Sequence, residues 1–384
     1  MINFFTHNLR ISVRGALLLT MILPNLNVYA QQMTEGDTHS PYILAVDEYC
    51  PAPGQFVNEI PEYAPGDDAA TMVQKCTELI AGKDFERMIT LGAWGGYVTF
   101  HFDHSIANIP GKRDFLVHGN AFKSKQFNIM GGSSESGIIM VSKDINRNGL
   151  PDDPWYEISG SCDTDSADKV VFDYSVTYTR ADMQDIPWTD NKGGSGSVLR
   201  NKYHKQEYYP LWVTDNSLTF EGIRLPDNAV LMKRIIPNFG EIEEWCLMFF
   251  RYGYTDNQPV DLVPQDGDDR DNIDACSIDI AWAVDKNRQS VSLDFIDFVR
   301  VYSGLNQTVK LLGETSTEVS GAEDLHLEES LAAIIAAGID DVNDAYEVTE
   351  VARHTADGVR ITTPRRGLNI VKMSNGEVRK ILIP

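Results

Sequence analysis

The sequence predicts an all-β fold, a jelly-roll-like β-sandwich with one or two short helices and a small C-terminal β element. Three observations carry this. From Pro41 to about Gly321, short apolar or alternating runs recur at close intervals, punctuated by Gly, Pro, Asn and Asp, the pattern of antiparallel strands and tight turns. Helical periodicity is confined to two short stretches, and the tail from Gly358 to Pro384 returns to alternation after a polar, acidic segment.

In chain order, Arg10 and Arg14, the apolar run Ala16–Leu23 and Val28-Tyr29-Ala30 before Gln31 form the pattern of a secretory signal over residues 1–30. The run is too short to span a membrane as a helix, and no later run reaches that length. Asp67 or Asp68 caps a helix whose apolar face is Met72, Val73, Cys76, Leu79 and Ile80, stopped at Gly82. Strands are expected at 88–91, 97–102, 114–118, 170–178, 217–220, 245–252 and 298–302, each with alternating faces. A second helix, from about Glu323 to Ala337, carries Leu327, Leu331, Ile334 and Ile335 on its apolar side. The organisation expected is a sandwich over 41–327, helix end and linker over 328–357, and a β tail over 358–384.

Charge narrows the function. Removing residues 1–30 takes away two arginines and leaves 31 basic against 56 acidic side chains, a net charge of −25. With no Lys/Arg cluster, the chain has nothing to reward a phosphate backbone or an anionic lipid surface, which excludes a general nucleic-acid binder. The five cysteines are odd in number and widely spaced; Cys50 with Cys76 is the best disulfide pair, set against the reading that both are buried thiols.

The most specific motif is Asp144-Ile145-Asn146-Arg147-Asn148-Gly149-Leu150-Pro151-Asp152-Asp153, between the β-type runs Gly137–Val141 and Trp155–Ile158. A calcium loop of the EF-hand type takes oxygens from positions 1, 3 and 5, a carbonyl from 7 and a ligand at 9, with Gly at 6 for the turn. Asp144, Asn146, Asn148, Gly149, Leu150 and Asp152 fill these places, with Asp153 adjacent. Position 12 is Trp155 instead of an acid, so another segment is needed to close the site. The alternative reading is an ordinary polar turn.

Aromatics beside Gly, Asn and Asp suit shallow ligand sites. The ligand-side candidates are Trp94 and Tyr97 in a glycine-rich turn, Asn120, Trp188 before Thr189-Asp190-Asn191, and Tyr209; the alternative is that such rings fill the core. No nucleophile elbow, zinc helix, Walker loop or dinucleotide fingerprint is present. The acids from Asp261 to Asp274 read as a solvated loop or a second calcium site.

Tyr49-Cys50-Pro51-Ala52-Pro53-Gly54-Gln55-Phe56, Leu91–Tyr97, Phe102-Asp103-His104, Gly119-Asn120-Ala121-Phe122, Ser134–Ile138, the calcium-type loop, Asp297–Tyr302 and Gly313–Glu318 together resemble a family of Bacteroidetes cell-surface proteins, sometimes labelled PKD-like. The resemblance covers roughly 42–327. It implies surface location and association with outer-membrane uptake systems for corrinoids or glycans. The stretch Arg366–Ile381 resembles the end of a type IX secretion sorting domain, but closes on Pro384 where that domain ends in a basic residue.

The expectation is therefore an exported, Ca2+-stabilised cell-surface protein that binds a small-molecule or glycan ligand without catalysis, with an outer-membrane transporter as a possible partner. The alternatives are a secreted glycan hydrolase using two carboxylates and an adhesive or structural module.

Overall fold

The computed structural model describes residues 39–125, 127, 129–236, 240–258, 277–310, 312–337, 350–355, 360–361, 363–373 and 378–383. The signal segment, Cys276, the acids 261–274 and residues 338–349 of the expected linker lie outside these. Among the described residues the chain is all-β, with every paired strand antiparallel and three short helices.

The central sheet runs in the order Ala45–Cys50, Tyr97–Ala107, Phe295–Ser303, Gly137–Ser142, Trp155–Ile158, Ala283–Val284, with Tyr254–Thr255 paired to Gly137–Ser142. Its spine is the pairing of Tyr97–Ala107 with Phe295–Ser303, in which Val98 faces Val301 and Phe100 faces Val299. Strand alternation sends these side chains to one face, where they meet Met72, Cys76 and Ile80 of helix α1 (Ala69–Ile80), and Phe115 and Val117 of a three-stranded sheet. Asp68 caps α1, its carboxylate accepting from the Thr71 amide at 2.8 Å, as the spacing predicts.

The other face carries a second core beneath a four-stranded sheet ordered Ser195–Val198, Ile186–Asp190, Val171–Thr179, Ser217–Arg224. A third sheet, Ala229–Ile236, Gly240–Met248, Gly131–Ser133, Phe122–Lys123, is built on a hairpin. The strand predicted at 245–252 therefore lies earlier, and residues 249–252 leave the ladder.

The second predicted helix spans Leu327–Ala336, because Gly321–Asp324 pairs as a strand with Phe115–His118. Its buried residues are Ser330 and Ile334, while Ile335 is exposed. A third helix, Cys162–Asp165, was not legible in the periodicity because it is a single turn. The tail sheet is ordered Arg360–Ile361, Glu350–Thr355, Gly367–Met373, Val378–Ile383, so it begins at Glu350, inside the segment expected to be a linker.

Cys50 and Cys76 are both free thiols. Tyr49 and Cys50 are consecutive in a strand and point to opposite faces; Tyr49 joins the α1 core that holds Cys76, whereas Cys50 borders the second core. The disulfide reading is thus overturned by strand geometry.

His104 stitches the layers together. Its Nδ1 lies 2.7 Å from Asp103 Oδ1 and its Nε2 2.9 Å from Asp324 Oδ2, on the strand paired with Phe115–His118. Burial alone would lower its pKa, but the two carboxylates outweigh this and push it up to about 9. Both ring nitrogens of His104 are taken by carboxylates, so within the His39–Asp103–His104 grouping this imidazole acts as an ion-pair partner. With the folded pKa above the unfolded 6.5, His104 stabilises fully below about pH 6.5 and loses its contribution as pH rises through about 9. Urea unfolding from pH 6 to 10 should show this loss, and His104→Gln should remove that part of the pH dependence and cost about 3–5 kcal/mol at pH 6. An unchanged difference between the two proteins across this range would sink the assignment.

Candidate functional site

The Asp144–Asp153 loop is closed by its own side chains. Asp144 accepts the Asn148 and Gly149 amides at 3.1 and 2.8 Å, and Asn148 Oδ1 accepts the Leu150 amide at 2.8 Å. The side-chain amides of Asn146 and Asn148 reach Asp152 at 3.0 Å each. Arg147 (φ +56) and Gly149 (φ +69) supply the left-handed turns that aim these groups inward. Asp153 accepts the Ile145 and Asn146 amides at 2.9 and 3.3 Å, and the Leu150 carbonyl accepts the Asp152 amide at 2.8 Å. Asp297, at an irregularity in the Phe295–Ser303 strand, accepts the Asp144 amide at 2.7 Å. Burial raises the Asp297 pKa, with the Asp144 charge adding to it. In this arrangement the Asn146 and Asn148 side chains present their amide nitrogens to Asp152, and the Leu150 carbonyl is engaged by the Asp152 amide.

The ligand-side candidates separate. Trp94 is fully buried in the second core, its indole N–H donating to the Ile223 carbonyl at 3.1 Å and its ring edge-on to Tyr174 at 4.8 Å. The glycine turn around it is tight because chain passes close by: a Cβ on Gly92 or Gly96 would fall 1.9 Å from a backbone carbonyl oxygen. Tyr209 is likewise buried, its hydroxyl donating to the Asp215 carbonyl at 3.0 Å. Both are corrected to core residues. Trp188 lies in a strand, not a turn, half-buried across from Gly196, whose missing Cβ makes room for the indole. Tyr97 is half-buried under the Arg300 guanidinium at 4.7 Å. Asn120 is exposed, but its amide donates to Asp256 Oδ1 at 2.8 Å and its side chain to Glu318 Oε2 at 3.2 Å. The five do not converge on one site.

Asn120 instead covers a carboxylate trio that sequence spacing could not reveal. Ligand atoms of Glu135, Asp256 and Glu318 lie within 4.8 Å of one another, brought from three separate segments. Burial, reinforced by mutual repulsion, raises Glu135 and Glu318 well above their ordinary range; burial raises Asp256 to about 7. These oxygens could share protons or hold a divalent cation.

A cleft of about 480 Å³ opens between the central and second sheets, lined by Trp155, Phe172, Glu157, Arg288, Asp173 and Glu221. The Trp155 indole N–H donates to the Pro151 carbonyl at 3.3 Å, so the calcium-type loop positions one wall. Arg300 lies 4.2 Å over the same ring. Arg288 joins Glu157 at 2.5 Å and also pairs with Asp163. Burial pushes Glu157 up to about 7 against the lowering pull of Arg288. Asp173 (φ +46) and Arg288 (φ +61) both hold strained backbone here. Sequence reading treated Trp155 only as the wrong residue for a calcium position; its place one strand from an acid-rich loop was the available signal.

In comparisons with known proteins, no protein-family model matches the chain and no curated protein matches it at a significant level.

The core assignment of Trp94 is checked by thermal and urea unfolding. Trp94→Ala should cost about 3–5 kcal/mol, whereas Trp188→Ala, with its ring half in solvent, should cost clearly less. Equal, small losses would return Trp94 to the surface.

Proposed function

We propose that the protein is an exported, Ca2+-stabilised cell-surface module that captures a glycan in the cleft between its two main sheets. The observation carrying this reading is the seating of Trp155: a half-buried aromatic wall fastened to the calcium-type loop, facing acids and a guanidinium. Sugars are held by aromatic faces with polar groups at the ring edges, and a cleft of 480 Å³ suits roughly one or two sugar rings. A corrinoid is the other ligand class implied by the resemblance to Bacteroidetes surface proteins. In this reading Asp144, Asn146, Asn148, Asp152 and the Leu150 carbonyl hold the ion, Asp297 closes the loop from the neighbouring strand, and Asp153 braces it. An outer-membrane transporter is the partner to which the captured ligand would pass.

Glu157 favours a second reading. A carboxyl with a pKa of about 7, with Asp173 and Glu221 in the same cleft, has the protonation a glycan hydrolase asks of its general acid. Release of reducing ends from a glycan panel, lost in Glu157→Gln, would establish it; binding without release favours capture.

Isothermal titration of the mature chain tests the lead reading. Calcium should bind at one loop and raise the melting temperature, and Asp144→Ala should abolish that increment. Trp155→Ala should leave calcium binding intact and weaken the glycan roughly tenfold or more. Calcium binding that survives Asp144→Ala unchanged, or a glycan indifferent to Trp155, would overturn the corresponding half.

A further inference from the structure

A second recess, separate from the cleft, has a different chemistry. This groove of about 1400 Å³ lies along the hairpin sheet and is walled by Phe85, His118, Phe122, Trp245, Lys123 and Lys125 among others. Phe85 and His118 are stacked, ring centres 3.8 Å apart at 15°, and form a flat patch. Phe122 is 60 % exposed on a two-residue strand and lines the same groove as Phe85, His118 and Trp245.

Two polar atoms in this wall have no hydrogen bond among the described residues. The indole nitrogen of Trp245 is enclosed with no hydrogen bond among the described residues, although an enclosed indole N–H ordinarily finds an acceptor. His118, only 7 % exposed, has its Nε2 in the same condition; Glu323 Oε1, at 3.5 Å, is too far for a good bond. Both residues line the groove, which offers the direction from which a partner can come.

Charge adds a third observation. In a chain of net charge −23, Lys123 and Lys125 flank the groove without an ion pair among the described residues, and Lys310 sits 5.8 Å over the Trp245 ring. Two acids, Glu243 and Glu244, also line it, but Glu243 is engaged by Lys233 at 2.9 Å.

We propose that this groove is a binding site for a flat aromatic ligand that carries an anionic group. The ring system lies against Trp245 and Phe122, an acceptor on it takes the Trp245 N–H and faces His118, and the anion sits between Lys123 and Lys125. The glycan cleft plays no part in this site.

Two fluorescent probes with one aromatic frame separate the contributions: 8-anilinonaphthalene-1-sulfonate, which is anionic, and N-phenyl-1-naphthylamine, which is neutral. The mature protein should bind the sulfonate saturably at one site and at least about fivefold more tightly than the neutral probe. Lys123→Glu/Lys125→Glu, at exposed or half-exposed positions that leave folding intact, should weaken the sulfonate about five- to tenfold and leave the neutral probe unchanged. Trp245→Phe should weaken both, and Trp155→Ala neither. Non-saturable binding, or binding indifferent to Trp245 and to the lysines, would overturn the proposal. Equal affinity for the two probes would overturn its anionic part. Melting curves confirm that each variant is folded.

Discussion

The antiparallel pairing of Tyr97–Ala107 with Phe295–Ser303 is the constraint on which the rest of this molecule depends. These strands sit in the middle of the central sheet, so both of their faces must be covered. One face is closed by α1 and the three-stranded sheet, the other by the second sheet. A slip of one residue would exchange the two faces and expose Val98, Phe100, Val299 and Val301 to the wrong core. The irregularity between Ile296 and Phe298 interrupts this register at Asp297, which bonds to the Asp144 loop on the neighbouring strand connection. The same ladder therefore holds the hydrophobic layers and the metal-type loop in one frame.

Electrostatics divides the acids of this chain into two populations. Among the described residues about half of the acids are exposed and solvated, and many of the others are half-buried. A few are enclosed, and they are handled in different ways. His104 is neutralised on both sides by Asp103 and Asp324, and Glu157 is met by Arg288. Glu135, Asp256 and Glu318 have backbone amides, hydroxyls and Asn120 around them, with no lysine or arginine paired to them among the described residues. One oxygen from each lies within 4.8 Å of the others, so the three acids form a single compact group. In the cleft at Glu157, by contrast, the acid, the Arg288 guanidinium and the Trp155 ring share one opening.

Aromatic residues show why position in a turn is a poor guide to exposure. Trp94 sits between glycines with left-handed φ, a context that suggests a displayed ring, yet those glycines exist to let the chain pass close to neighbouring backbone while the indole drops into the core. Trp155 looked like a misplaced residue in a calcium scheme, and it is the ring that the loop orients toward a cleft. In both cases the indole N–H bond to a carbonyl far in sequence, or just upstream, sets the direction of the ring.

What the sequence by itself determined was everything governed by local periodicity and turn chemistry. The all-β class, the strands at Gly137–Ser142 and Trp155–Ile158, the Asp68 cap with Met72, Cys76 and Ile80 on one helical face, and the turn-forming Gly149 all follow from side-chain spacing along a few residues. Only the tertiary structure decided which faces meet. Cys50 and Cys76 were assigned to different cores, Asp297 was brought to a loop some 150 residues earlier, and Glu135, Asp256 and Glu318 were gathered from three segments. Such contacts depend on strand order and register, which are set by long-range pairing and packing, and no window of sequence contains them.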